Sequence, residues 1–236
     1  MNRRAFLVSA GAAALAGCTG GGTAGDSTST TTPSTATTTT TTSPPTTTTT
    51  AYPDPVTSTL SGTGQTVTES FTPELAGPTV FAFAYQGSSN FAVWLLDDSG
   101  SRQDLLANVI GAYSGVRMTG AAGTHYLEVD TTGPWSVEIR SLPVYETGQS
   151  LPVHGGRDYA SFVGPVQFPG SARATFSASS QGNNVAWLRD AFGQKADLLF
   201  NTIGPQNEIS TTVQGSGVGY VGVQSNGTWS LDLESM

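Results

Sequence analysis

The chain of 236 residues contains an internal repeat, in which one sequence module occurs twice. Residues 94–111 recur as residues 187–204 at an offset of 93, and ten of the eighteen positions are identical. A closing segment, residues 133–139, recurs as residues 227–233 at an offset of 94. Self-similarity at a fixed period means that one structural unit is built more than once. Any fold for this chain must therefore accommodate two copies of a module of roughly 85 residues.

Each copy has the periodicity of β-strands. Trp135, Val137 and Ile139 alternate with polar residues, and residues 229–233 repeat the alternation. A period of two gives a strand one apolar face. No window of a dozen residues shows sustained helical periodicity. The sequence therefore predicts an all-β fold of two tandem antiparallel β-sandwich modules, jelly-roll or immunoglobulin-like, with seven or eight short strands each.

Three turns are predicted from Asp, Asn and Gly. Asp97 and Asp190 each stand three residues before a glycine, which is typical of a type I turn. Asn226 and Gly227 separate two strand-like segments and predict a type I′ hairpin, whose central residues both need positive φ.

Aromatic residues divide into matched and unmatched positions. The four tryptophans are matched between the copies, which favours a packing role: Trp94, Trp135, Trp187 and Trp229. Other aromatics have no counterpart and are predicted to be freer to make surface contacts: Tyr113, Tyr145, Phe168 and Phe192.

The N-terminus has the features of an export signal. Arg3 and Arg4 precede an uncharged apolar run of 12 residues, 5–16. A membrane-spanning helix needs roughly 20 residues, so we predict that residues 1–17 are a cleaved signal peptide. No other apolar stretch reaches that length.

A threonine-rich linker follows. Residues 18–51 comprise Cys18 and 33 further positions, of which 18 are Thr and only Asp26 is charged. Because it contains no Leu, Ile, Val, Phe or Trp to offset the cost of ordering, this segment is predicted to be disordered. Its hydroxyls and interspersed prolines suggest O-glycosylation, and the alternative is an unmodified spacer.

The N-terminal motifs resemble those of known exported proteins. Arg3 and Arg4, followed by Phe6 and Leu7, resemble a twin-arginine signal, and residues 15–18 resemble a lipobox. Low lysine content, excess acid and heavy Thr, Gly and Ala use are similar to surface lipoproteins of halophilic archaea. The resemblance implies cleavage before Cys18, acylation of its thiol, and anchoring at the outer face of the cytoplasmic membrane. The alternative is an ordinary signal peptide with an incidental cysteine.

The remaining chain is divided into repeat 1, residues 52–142, and repeat 2, residues 143–236. Neither contains cysteine, so packing rather than disulfides must stabilise them. The net charge of −8 and pI near 4.5 disfavour nucleic acid as a partner, since phosphate binding needs clustered positive charge.

Candidate ligands and catalytic groups are few. Asp97, Asp98 and Asp104 are weak candidates for a Ca²⁺ site because carboxylate oxygens suit that ion. However, Asp98 becomes Ala191 in repeat 2, so turn formation is the favoured interpretation and no cofactor or metal is predicted.

Histidines do not indicate an active site. His125 and His154 have no counterpart in the other copy, and both are interpreted as surface or strand-edge residues. The pattern of a serine hydrolase elbow is missing, and the chain is predicted not to be an enzyme. Asn226 starts an N-glycosylation sequon and is a candidate acceptor.

These features together predict a lipid-anchored, non-catalytic surface protein. Cys18 would tether the protein to the membrane, and the two modules would be displayed to a surface glycan or protein partner for interaction or scaffolding. Duplication suits this role because two linked weak sites raise the effective affinity. The alternative is a carbohydrate-binding surface module. Exposed coplanar aromatics would favour it, whereas buried tryptophans would favour display.

Overall fold

The computed structural model of the chain describes residues 53–236. The predicted signal peptide, Arg3, Arg4, Cys18 and the predicted linker lie outside these residues. The described part of the chain contains fourteen β-strands and no α-helix, which confirms the all-β prediction. Within residues 53–236, no helix has the length and apolarity needed to cross a membrane.

Repeat 1 forms eight strands: β1 Val56–Thr63, β2 Thr66–Val67, β3 Thr79–Tyr85, β4 Asn90–Leu96, β5 Arg102–Ile110, β6 Val116–Thr119, β7 Tyr126–Asp130 and β8 Pro134–Ser141. They make two four-stranded antiparallel sheets, ordered β1-β8-β3-β6 and β2-β7-β4-β5. Along β8 the predicted alternation is observed, with Trp135, Val137 and Ile139 buried. These residues share one core with Phe91 and Leu127 of the other sheet, so repeat 1 is a sandwich.

Repeat 2 forms six strands: β9 Val153–Arg157, β10 Ser161–Ala178, β11 Asn183–Asp190, β12 Lys195–Ile203, β13 Gln206–Gln224 and β14 Trp229–Ser235. Their order, β12-β11-β13-β10-β14-β9, repeats the neighbour relations of repeat 1. The N-terminal part of β10 pairs with the end of β13, as β2 pairs with β7. Its C-terminal part pairs with β14, as β3 pairs with β8. Thus the two copies share one topology.

Two strands of repeat 2 are longer than predicted. β10 has 18 residues and β13 has 19, and each runs through positions where repeat 1 has loops. Gly170 and Gly217 adopt φ of 119° and 80° inside these strands, which lets the chain bend without leaving the ladder. The expectation of short strands throughout was therefore wrong for repeat 2, because these glycines bend strands rather than end them.

The repeats pack against each other. Val80 and Met118 of repeat 1 form a buried cluster with Tyr220 of repeat 2. Tyr159 and Ala160 also pack into the core of repeat 1, and the Val116 N–H donates to the Ala160 carbonyl over 2.6 Å. The two modules are thus joined by both apolar contact and backbone hydrogen bonding.

The turn at Asn226 and Gly227 differs from the prediction. It connects β13 to β14, which are not neighbours, so it is a corner between two parts of the sheet rather than a hairpin. Neither residue has positive φ. Gly227 instead allows the backbone to pack closely against Ser180, since a Cβ at residue 227 would lie 2.9 Å from the Ser180 nitrogen. The dipeptide alone could not distinguish these two uses of glycine.

Aromatic residues follow the predictions only in part. Trp135 and Trp229 are buried as expected, whereas Trp94 and Trp187 are half-buried. Of the four unmatched aromatics, Phe192 is 52% exposed and Tyr145 is half-buried, but Tyr113 and Phe168 lie in the cores. Burial raises the pKa of Tyr113 to about 12. Lack of a repeat counterpart was therefore a poor guide to exposure.

Candidate functional site

The repeated aspartates form turns. Asp97 Oδ1 accepts hydrogen bonds from the backbone N–H groups of Ser99 and Ser101, at 3.0 and 2.9 Å. In repeat 2, Asp190 Oδ1 accepts from Phe192 and Gln194 in the same way, both at 2.9 Å. Hydrogen bonds from the Ser99 side chain and then the Ser101 backbone lower the pKa of Asp97. These oxygens cap turns, as the sequence predicted.

The three candidate calcium ligands are not brought together as a set. Asp98 is an exposed turn residue, while Asp104 lies on β5 with Oδ1 3.6 Å from Lys195 Nζ. Within residues 53–236, no group of three or more His, Cys, Asp or Glu side chains is placed to hold a metal ion.

The histidines have different surroundings. His154 is exposed on β9, with Nδ1 2.5 Å from Asp232 Oδ1, in agreement with the strand-edge prediction. His125 is buried, which corrects the surface prediction. Its Nδ1 lies 3.0 Å from the Leu96 carbonyl and its Nε2 lies 3.0 Å from the Ala122 carbonyl. Each ring nitrogen lies within hydrogen-bonding distance of a backbone oxygen, which fits a structural role for the ring.

A basic side chain covers each half-buried tryptophan. The Arg102 guanidinium lies 4.8 Å from the ring centroid of Trp94 and is fixed by two 2.8 Å hydrogen bonds to Glu128. In repeat 2, Lys195 Nζ lies 5.4 Å from the Trp187 ring. Cation–π contact of this kind stabilises both partners and occupies the ring face.

A cleft of about 410 Å³ lies between the repeats. We call it the inter-repeat cleft; the polar side chains that line it are Gln103, Asp104, Thr119, His125, Arg189, Gln194 and Lys195. Gln194 Nε2 donates across it to the Gly120 carbonyl over 2.6 Å, and Lys195 approaches Asp104 from the opposite side. Because both repeats contribute walls, the cleft exists only when they are packed together.

Two buried arginines distinguish this region from the rest of the molecule. Arg189 is 3% exposed and Arg117 is 7% exposed. Arg189 Nη1 donates to the Gly193 carbonyl over 2.7 Å, and Arg117 Nη1 donates to Gln224 Oε1 over 3.0 Å. Within the described residues, neither Nε has a hydrogen-bond partner. Burial, with the nearby Arg117 charge, lowers the pKa of Arg189 to about 10, and burial lowers the pKa of Arg117 as well.

Sequence reasoning missed Arg189. The signal that could have found it is the repeat alignment, in which Arg189 stands where repeat 1 has Leu96. Leu96 is buried, so a charge at the matching position is expected to be buried too. Such a replacement is costly unless the charge has a purpose or a partner.

The candidate glycosylation site is accessible. Asn226 is exposed at the corner between β13 and β14. The Thr228 hydroxyl of the same sequon donates to Asp158 Oδ1 over 3.3 Å.

Comparisons with known proteins give no family for this chain. No protein-family model matches it, and no curated protein matches it in sequence. Among solved structures, the crystal structure of the PBSX exported protein XepA aligns over 76% of this chain and 85% of that chain, with 10% identity and a TM-score of 0.24. A likeness this weak carries no argument about function.

Proposed function

We propose that this chain is a non-catalytic, lipid-anchored surface protein that displays two fused β-sandwich repeats to a binding partner. The observation that supports it most is the packed junction between the repeats, with the Val80, Met118 and Tyr220 cluster at its centre. A packed junction holds two equivalent surfaces in a fixed relation, which a display protein needs to engage two points on one target.

Equivalent exposed features support a two-point interaction. Ile110 and Ile203 occupy matching positions at the ends of β5 and β12, and they are 85% and 77% exposed. Because both copies expose a large apolar side chain at the same position, the protein offers two equivalent apolar contact points. We propose that these two hairpin ends belong to the displayed surface.

The anchor and the linker would determine how far the two repeats extend from the membrane. Acylation of Cys18 would hold the chain at the outer face of the membrane, outside the cytoplasm. The following 33 residues would span about 30 Å as a flexible coil or up to ~100 Å if extended. Glycans on the threonines, and one at Asn226, would favour the extended limit.

The anchor is tested by fractionating cells that possess twin-arginine export and lipoprotein processing. Wild-type protein is expected in the membrane fraction with an increase in mass from acyl chains. Cys18→Ala should release nearly all of it, since Cys18 is the sole cysteine and no second thiol can substitute. The matched control, Arg3→Lys with Arg4→Lys, should keep the precursor inside the cell. Unacylated wild-type protein in the soluble fraction would refute the proposal.

Carbohydrate binding is the second candidate. Trp94 and Trp187 are half-buried at matching positions, and each presents a ring to a surface side chain. Displacing Arg102 or Lys195 would open a ring face on which a sugar could stack.

A glycan array with the full chain separates the two candidates. If sugars stack on these rings, specific glycans bind, and replacing both Trp94 and Trp187 by alanine abolishes their binding. The control replaces Phe192, an exposed aromatic without a repeat counterpart, and should leave binding unchanged. An array without signal would favour display to a protein partner.

A further inference from the structure

The charge balance of the inter-repeat cleft is unusual for this chain. Arg189 and Lys195 line the cleft, and Arg117 lies close enough to act on Arg189 without lining it; the carboxylates that act on the two arginines are Asp104 and Asp190. Asp190 already accepts two turn hydrogen bonds through Oδ1. The region is therefore net positive in a protein whose formal net charge is −8. A cleft with net positive charge attracts anions, even in a protein whose overall charge is negative.

Comparison of the two repeats shows how the positive charge arises. In repeat 1, Trp94 pairs across the strands with Glu128, and that carboxylate neutralises Arg102. In repeat 2, Trp187 pairs with Gly222 instead, so the carboxylate is missing. Gly222 also makes room for the new arginine, since a Cβ there would lie 2.9 Å from Arg189 Nε. Repeat 2 thus has a buried cation, Arg189, where repeat 1 has Leu96, and it lacks the carboxylate that neutralises the other basic residue in repeat 1.

Arg189 also has unused bonding capacity. Its guanidinium carries five N–H donors, and within the described residues the Nε donor is buried without an acceptor. A buried charge with an unmet donor is costly unless a counter-charge arrives. The planar guanidinium matches the two oxygens of a carboxylate and holds them with paired hydrogen bonds.

We propose that the inter-repeat cleft binds the carboxylate of a small organic molecule, with Arg189 as the principal cation and Lys195 as the second. The volume of about 410 Å³ admits a ligand the size of a monosaccharide acid. Asp104 lines the same cleft, and its negative charge opposes a doubly charged phosphate more strongly than a singly charged carboxylate. This inference goes beyond display, and it requires neither acylation of Cys18 nor stacking on tryptophan.

The test titrates the full-length chain with glucuronate, propionate, phosphate and glucose. Because Lys195 lies over the Trp187 ring, tryptophan fluorescence reports binding alongside calorimetry. Glucuronate is expected to bind saturably with a Kd of about 1 mM or lower, and glucose at least about 10-fold more weakly. If propionate binds as tightly as glucuronate, the site recognises any carboxylate. If propionate binds more weakly than glucuronate, the site recognises a sugar acid. Equal binding of glucose, tighter binding of phosphate, or no binding of either carboxylate would overturn the proposal.

Variants locate the site. Arg189→Leu installs the residue that repeat 1 carries at the matching strand position, and it should weaken glucuronate binding by about 10-fold or more. Asp104→Asn should strengthen binding by about 3-fold, because it removes the competing negative charge. The control, Arg173→Gln, alters an exposed arginine that pairs with Glu234 outside the cleft and should change nothing.

Two further variants with opposite expected effects on affinity keep the proposal testable if Arg189→Leu does not fold. If Arg189→Leu does not fold, Lys195→Gln and Asp104→Asn should still move the affinity in opposite directions, since both residues have exposed or half-exposed side chains. Folded variants with wild-type affinity, or a loss in Arg173→Gln as large as in Arg189→Leu, would contradict the assignment of the site.

Discussion

Replacing Trp229 by alanine is expected to lower the free energy of unfolding by about 3–5 kcal/mol, the range for deleting a buried tryptophan side chain. Trp229 is 2% exposed, and its Nε1 donates a 2.7 Å hydrogen bond to the Tyr159 carbonyl. The substitution would leave a cavity in the core of repeat 2 and remove the donor for that carbonyl. Urea unfolding of the full chain, compared between wild type and variant, measures the loss.

The duplicated tryptophans supply matched controls. Trp187→Ala removes a half-buried ring at a matched repeat position and should cost only about 1–2 kcal/mol. Trp135→Ala, the counterpart of Trp229, should cost as much as Trp229→Ala, since Trp135 is also buried. Because the repeats share a buried cluster, both core variants should shift one common transition. Equal losses for Trp187 and Trp229, or separate transitions for the two repeats, would contradict this description.

The sequence was informative where its pattern had one structural meaning. Alternation along residues 135–139 can only describe a strand with one buried face, and β8 has that face. Asp97 and Asp190 followed by glycine predicted turns that the hydrogen bonds reproduce. Repetition in the sequence likewise predicted repetition in structure, and both copies have the same strand pairing.

Other features were not predictable because one residue type serves several purposes. Gly170 bends a strand, whereas Gly227 allows a neighbouring segment to approach closely, and the residue type does not distinguish these two roles. The inter-repeat cleft brings together Asp104 and Lys195, which are distant along the chain. Their meeting follows from how two sandwiches pack, which local periodicity does not encode. The repeat alignment indicated only that Arg189 departs from its copy.

Gly77→Ala is expected to destabilise the protein by about 3 kcal/mol or more through backbone overlap. Gly77 is buried in the loop before β3, and its N–H donates to the Leu142 carbonyl over 3.0 Å. A Cβ at this position would overlap the Pro143 carbonyl oxygen and lie 2.5 Å from the Leu142 oxygen. Neither backbone oxygen can rotate away, so the loop or the segment after β8 must move. Thermal unfolding of the variant measures the cost.

The consequence of Gly77→Ala should extend to the junction between the repeats. Leu142 packs against the buried cluster of Val80, Met118 and Tyr220, so displacing the 142–143 segment loosens the contact that forms the inter-repeat cleft. Carboxylate binding should therefore weaken together with stability. The control, Gly182→Ala, places its Cβ 3.7 Å from a single side-chain atom and should change neither property. If Gly77→Ala had wild-type stability, the loop could not lie against residues 142–143 as closely as described.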